Sequence, residues 1–266
     1  MAEYLGLQQQ IKRNTVKSFF ILAAFPLLIL GVFYAVVALG SQDAYGNFDA
    51  YMAQKTFLSG LPAVFIGVGI WFLVAYFSHS FMINLSTGAK SLERKDNLRV
   101  YNLTENLCMS IGMPMPKLQI IESNALNAFA SGINQKTYSV TLTRGIIDAL
   151  TDEELEGVIA HELMHIQNRD VRLLIFSIIF VGIFSFLIQV TFRSLLFGGL
   201  SGGNRRRDGK DNGAALMLVL LVISLVAYFL SLLFKFALSR KREYMADAGA
   251  AQMTRNPLAL ASALKK

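Results

Sequence analysis

His161, Glu162 and His165 stand in the run AHELMH (160–165) with the spacing H-E-x-x-H. On a helix, residues four apart share a face, so the two imidazoles reach one ion. Glu162 sits one step round, close to a water held at that ion but outside the ligand stripe. This division suits metal-assisted hydrolysis. A zinc ion lowers the pKa of its water toward about 7, and a carboxylate takes the proton as that water attacks a carbonyl. By itself the pattern is thin: ordinary residue frequencies place it in roughly one chain in a hundred of this length. It is also incomplete, because a catalytic zinc normally takes three protein ligands and a water.

The one other histidine outside the pair, His79, ends an apolar stretch without convergent polar partners, so the third ligand is expected to be a carboxylate. The segment SRKREYMADAGAA (239–251) places Glu243 and Asp247 four apart. Ala246, Ala248, Ala250 and Ala251 would keep that helix thin enough to pack against another. Glu243 would complete a His-His-Glu set. Asp247 would accept the second N–H of a ligating imidazole and so hold its tautomer and direction. Taken alone, the two carboxylates read better as a solvated helix face, and Arg240, Lys241 and Arg242 as a contact to lipid head groups.

Several elements must position these groups. Thr151 and Glu154 have capping-box spacing, and Leu155, Val158, Ile159 and Leu163 follow at helical intervals, which predicts a helix carrying the motif. Upstream, 102–116 reads as a helix ended by Gly112 and Pro114. Residues 117–123 alternate as a strand, 123–132 suits an edge strand, and a further strand runs through Val140–Thr143.

Hydrophobic residues make up 54% of the 266 and charged ones 16%, well below the roughly 25% of a soluble domain. The apolar residues cluster into four stretches, 18–40, 57–77, 173–192 and 214–234, each long enough to cross a bilayer as a helix. Pro26 and Pro62 lie inside the first two and are tolerated in membrane helices. The first run exceeds the 7–15 residues of a signal-peptide core, so an uncleaved span is expected. The net charge of +7 would suggest nucleic acid in a soluble protein; here it reads as cytoplasmic flanks, with the bilayer and no nucleic acid as partner. A single cysteine, Cys108, excludes an intrachain disulfide and a sulfur-rich metal site.

Lys12, Arg13 and Lys17 precede the first stretch, and Lys90, Arg94, Lys95 and Arg99 follow the second, whereas 41–56 carries Asp43, Asp49 and one Lys55. The N-terminus and the segment after about residue 80 are therefore expected in the cytoplasm. The basic loop 193–213, with Arg205, Arg206, Arg207 and Lys210, conflicts with this if the second hairpin crosses. Either it crosses despite its charge or it dips in and returns. The ligands constrain the answer: His161 and Glu243 flank both apolar stretches, so the hairpin crosses twice or not at all. The organisation expected is 1–85 with two transmembrane helices, 86–172 as catalytic segment, 173–234 as apolar hairpin and 235–266 as third-ligand helix.

HELMHIQNRD, an apolar hairpin and SRKREYMADAGAA, in that order, closely resemble the HtpX family of membrane zinc metallopeptidases, relatives of the CAAX prenyl endopeptidases. The likeness extends over most of the chain. It implies an α-helical integral membrane protein with a small α+β, gluzincin-like zinc metallopeptidase domain. It implies one zinc ion on His161, His165 and Glu243, with Glu162 as base and Asp247 behind a ligand. NAFASG (127–132) is similar to the strand that thermolysin-like enzymes lay beside a peptide, so Asn127 and the backbone of Ala128 are expected to pair with substrate as an added strand. The implied activity is endoproteolysis of damaged or misfolded membrane proteins at a bacterial inner membrane, with the site facing the cytoplasm. Prenyl-protein-type cleavage and a non-catalytic, metal-stabilised scaffold are the alternatives. Family members generally continue past NPLALASALKK, which implies a partial chain. Tyr138, Arg144 and Tyr244 are undistinguished candidates for stabilising the oxyanion.

Overall fold

A computed structural model describes residues 7–41, 47–198 and 212–266. The basic loop cations Arg205, Arg206, Arg207 and Lys210, and Asp43 in the first loop, lie outside the described residues.

Four helices carry the apolar stretches: α1 (Leu7–Gly40), α2 (Ala50–Thr87), α6 (Asp170–Gly198) and α7 (Asn212–Thr254). Within them, Ser18–Gly40, Ala50–Thr87, Asp170–Leu196 and Met217–Phe236 are long and apolar enough to cross a membrane. Pro26 and Pro62 are accommodated inside α1 and α2. Phe20, Leu27, Phe65, Ile66, Val222 and Phe229 all face outward. A helix apolar all round cannot present that surface to water, so lipid must cover it. The chain continues helically from 214–234 into the glutamate segment; sequence reading had separated the two, because Arg240–Arg242 interrupt the apolar run without breaking the backbone.

The chain divides into two compact units. One comprises 20–75 and 177–236. Its core is Ile29, Val32, Ile183, Phe184 and Ala227, and Phe25 stacks on Phe180 with centroids 5.2 Å apart. Trp71 satisfies its indole N–H on the carbonyl of Ile179 at 3.1 Å, as a buried indole must.

The other comprises 1–19, 76–176 and 237–266. It holds β1 (Lys90–Ser91), α3 (Leu98–Ser110), β2 (Lys117–Ile121), β3 (Ala128–Ser131), β4 (Ser139–Thr143), α4 (Arg144–Ala149), α5 (Asp152–Gln167) and α8 (Pro257–Ala263). The sheet order is β1-β2-β4-β3. β2 and β4 run parallel, with Leu118 opposite Val140, and both outer strands are antiparallel to their neighbours. All five β4 residues are buried, whereas β3 pairs on one side only and forms an edge. Gly132, at φ +106°, ends that edge; a Cβ there would sit 2.4 Å from the Thr137 carbonyl oxygen. Two short elements were not anticipated. β1 is too brief to alternate, and α4 begins directly at the end of β4. Helix α3 also starts earlier than expected, where Asn97 caps the Val100 N–H.

The motif helix α5 is capped as its sequence dictates. Thr151 accepts from Glu154 N–H, and the Glu154 carboxylate accepts in return from Thr151 N–H. Leu155, Ile159 and Leu163 are fully buried along one face. α8 packs on α5, held by Ser262 donating to Glu154 at 2.7 Å and Lys266 at 2.6 Å.

Candidate metal centre and active site

α5 turns His161 and His165 to one face, four residues apart, and the last turns of α7 bring Glu243 to them. Close approach of the two helices depends on small residues: Ala246 and Ala250 are fully buried, and a Cβ on Gly249 would fall 2.3 Å from Met164 Cε. Ala248, by contrast, faces out.

The Nε2 atoms of His161 and His165 are 3.0 Å apart, and Glu243 Oε2 lies 3.5 Å from each. The opposite ring nitrogens are occupied. His161 Nδ1 is 2.9 Å from Asp247 Oδ1, and His165 Nδ1 is 3.2 Å from Asp170 Oδ2. An ionised carboxylate only accepts, so each Nδ1 carries a proton, and in the neutral ring each Nε2 then offers a lone pair. Two imidazole lone pairs and a carboxylate oxygen thus converge within 4.8 Å of one another. Such a set repels itself unless a cation lies among the three. Nitrogen and oxygen donors of this number suit zinc, with room left for water or substrate.

Glu162 is buried beside the pair, and the backbone N–H of Ala130 on β3 lies near enough to favour its ionised form. Burial pushes its carboxyl above the usual range; positive charge on the His161 and His165 rings and the Ala130 N–H act the other way, and Glu243 adds to the rise. A carboxylate so placed is a stronger base than one in water.

Pairing with β4 orients the edge strand. The Asn127 carbonyl accepts from Thr143 N–H at 3.0 Å, so residue 127 turns its backbone toward β4. Strand alternation then turns the backbone groups of Ala128 and Ala130 the other way, to the open edge beside Glu162. The Asn127 side chain is exposed there.

Sequence reasoning missed two residues. Asp170 stands five positions past His165, beyond the end of α5, where Arg169 takes φ +61°. Arg242 is buried, not at a lipid surface; its guanidinium donates to Asp170 Oδ1 and to the Ser18 hydroxyl. Burial draws its pKa down to about 10, so it remains charged at neutral pH. The side chains of Arg240 and Lys241 lie outside those described. The HExxH-to-Asp spacing was the available signal for Asp170; none in the sequence marked Arg242 apart from its neighbours. His79 is buried and bonded locally, to Ser80 Oγ at 3.0 Å and the Tyr76 carbonyl. Of the oxyanion candidates, Arg144 is taken up by Glu122 at 2.7 Å and Tyr244 is exposed.

The description of peptidase family M48 matches residues 94–266. A Bacteroides fragilis protein named Protease HtpX homolog is 53% identical over 270 residues, covering 99% of this chain and 83% of that one. A Listeria monocytogenes protein of the same name is 36% identical over 266 residues, covering 98% and 83%. The crystal structure of S. mikatae Ste24p matches with a TM-score of 0.46 at 22% identity, over 97% of this chain; the chain spans 59% of that protein's length.

Proposed function

The chain belongs to peptidase family M48, as a membrane-bound, multi-pass metalloprotease of the HtpX type, and from that premise we propose how its residues work and on what. His161, His165 and Glu243 hold one zinc ion. The observation that carries this is the convergence of their three lone-pair donors, with both Nδ1 protons already committed to carboxylates. Zinc supplies there a Lewis acid that activates water and polarises the scissile carbonyl. Glu162 takes the proton of the attacking water and delivers it to the leaving nitrogen. Asp247 holds the His161 ring and Asp170 holds the His165 ring, so both present Nε2 without searching for orientation.

The peptide lies along β3 as an added strand. Ala128 offers its backbone to it, and Asn127 borders the same edge. Support comes from the outward turn of the 128 and 130 backbone beside Glu162. The substrates in this reading are misfolded or damaged membrane proteins of a bacterial inner membrane, cut on the cytoplasmic side. The basic flanks of the first two apolar stretches support that orientation. Residues 1–85 and 173–234 serve as the membrane-embedded part, and 86–172 with 235–266 as the catalytic part.

Glu162→Gln in detergent-purified protein tests the assignment. Zinc content stays at one per chain while cleavage of casein and of a membrane substrate falls by about 10²–10⁴-fold. Undiminished proteolysis in that variant removes Glu162 as the base. Glu243→Ala lowers zinc stoichiometry; full zinc content there places the third ligand elsewhere.

A further inference from the structure

A half-open cavity of about 770 Å³ lies at the C-terminal end of α5, apart from the metal ligands. Lys136, Arg169 and Arg172 line it together with Tyr138, Met113 and Ile133. No acidic side chain lines it among the described residues, and none of the three cations is in an ion pair there. Three unneutralised cations around one hollow leave a standing positive potential, which an anion relieves. The apolar wall of Ile111, Met113 and Pro114 asks that the anion be joined to a greasy body.

Two further observations tie the lining of this cavity to the ends of apolar stretches. Arg172 immediately precedes the apolar run that begins at Leu173 on α6, and its guanidinium stands 5.3 Å over the Phe176 ring. The turn that supplies Lys136 is tied to the end of the second apolar stretch, where Asn134 Nδ2 donates to the Tyr76 hydroxyl at 3.4 Å. Tyrosines and basic residues at the ends of membrane helices mark the headgroup layer. We propose that this cavity binds the phosphate-bearing headgroup of an anionic phospholipid, with Lys136, Arg169 and Arg172 on the phosphate and Ile111, Met113 and Pro114 against the glycerol and upper chain. The lipid would sit against the last turn of the helix that carries both histidines, since Ile166 and Gln167 also border the cavity.

The test uses the detergent-purified full chain and three probes: dihexanoyl-phosphatidylglycerol, dihexanoyl-phosphatidylcholine and inorganic phosphate, with binding read by titration calorimetry. The glycerol lipid is expected to bind at least ten-fold more tightly than the choline lipid. The K136Q/R169Q/R172Q variant abolishes that preference, while K90Q/K95Q/K117Q, with the same loss of charge outside the cavity, retains it. If the first variant does not fold, R172Q alone carries the test with an expected loss of about five-fold, the worth of one cation beside an anionic headgroup. Equal binding of the two lipids overturns the proposal, as does an equal loss in both triple variants, which would mean diffuse surface charge. Inorganic phosphate binding as tightly as the glycerol lipid overturns it in favour of a free-anion site.

Discussion

His161 and His165 each donate an Nδ1–H hydrogen bond to an aspartate, at 2.9 and 3.2 Å, yet the two aspartates live in different surroundings. The Asp247 side chain is 43% exposed and has water for its remaining lone pairs. The Asp170 side chain is 6% exposed and faces the Arg242 guanidinium, itself 7% exposed. Similar contacts to a ring therefore have different costs when broken. Water substitutes for Asp247, whereas loss of Asp170 strands a buried cation. One flank of the centre is held by a replaceable contact and the other by a charge network that reaches Ser18.

The largest effect expected from this contrast is in Asp170→Ala. It costs about 3–5 kcal/mol of stability because Arg242 is left buried and unpaired. Zinc affinity also falls, by about 10–100-fold, as the His165 ring loses its orientation. Denaturant unfolding and chelator competition measure the two. The double variant Asp170→Leu/Arg242→Leu removes both charges together, so it recovers most of that stability without recovering zinc affinity. A double-mutant cycle with no coupling between the two positions would break the contrast at its root. Asp247→Ala is expected to weaken zinc about 10–100-fold as well, with a stability change under about 1 kcal/mol. If it unfolds the protein as Asp170→Ala does, the two flanks are energetically alike.

The smallest effect concerns pH. Glu162 has a folded pKa raised above its unfolded one, so its favourable contribution is present below the unfolded value, about 4.3, and is lost as pH rises through the folded value. In chelator-treated protein, Glu162→Gln should therefore match the parent near pH 4 and resist heat better at pH 7. The opposite order at pH 7 would mean that ionised Glu162 is stabilised by its neighbours more than burial penalises it.

Much of the site was legible. The shared face of His161 and His165 follows from i, i+4 spacing on a helix, and the capping box at Thr151 locates where that helix starts, whereas Glu243 and Asp247 entered the reading only through the missing third ligand and the resemblance. The edge strand was legible in place, Ala128–Ser131 within 123–132, but its open side was not, because that depends on which strand pairs beside it. Arg242 was misplaced for a related reason. A charge next to other charges reads as solvated until a partner 72 positions away is brought against it.

By itself the sequence determined the local matters: helix caps, the shared face of His161 and His165, and the apolar stretches. These are settled by interactions within about four residues or by composition, which hold whatever the rest of the chain does. The tertiary structure alone decided which carboxylates face which ring nitrogen, that Asp170 and Arg242 form a buried pair, and that the Ala130 backbone comes near Glu162. Those contacts join the start of α6, the last turns of α7 and the open edge of β3. Contacts between such distant segments exist only once tertiary packing has set the separation, as the packing of Ala246, Gly249 and Ala250 against α5 does for α7.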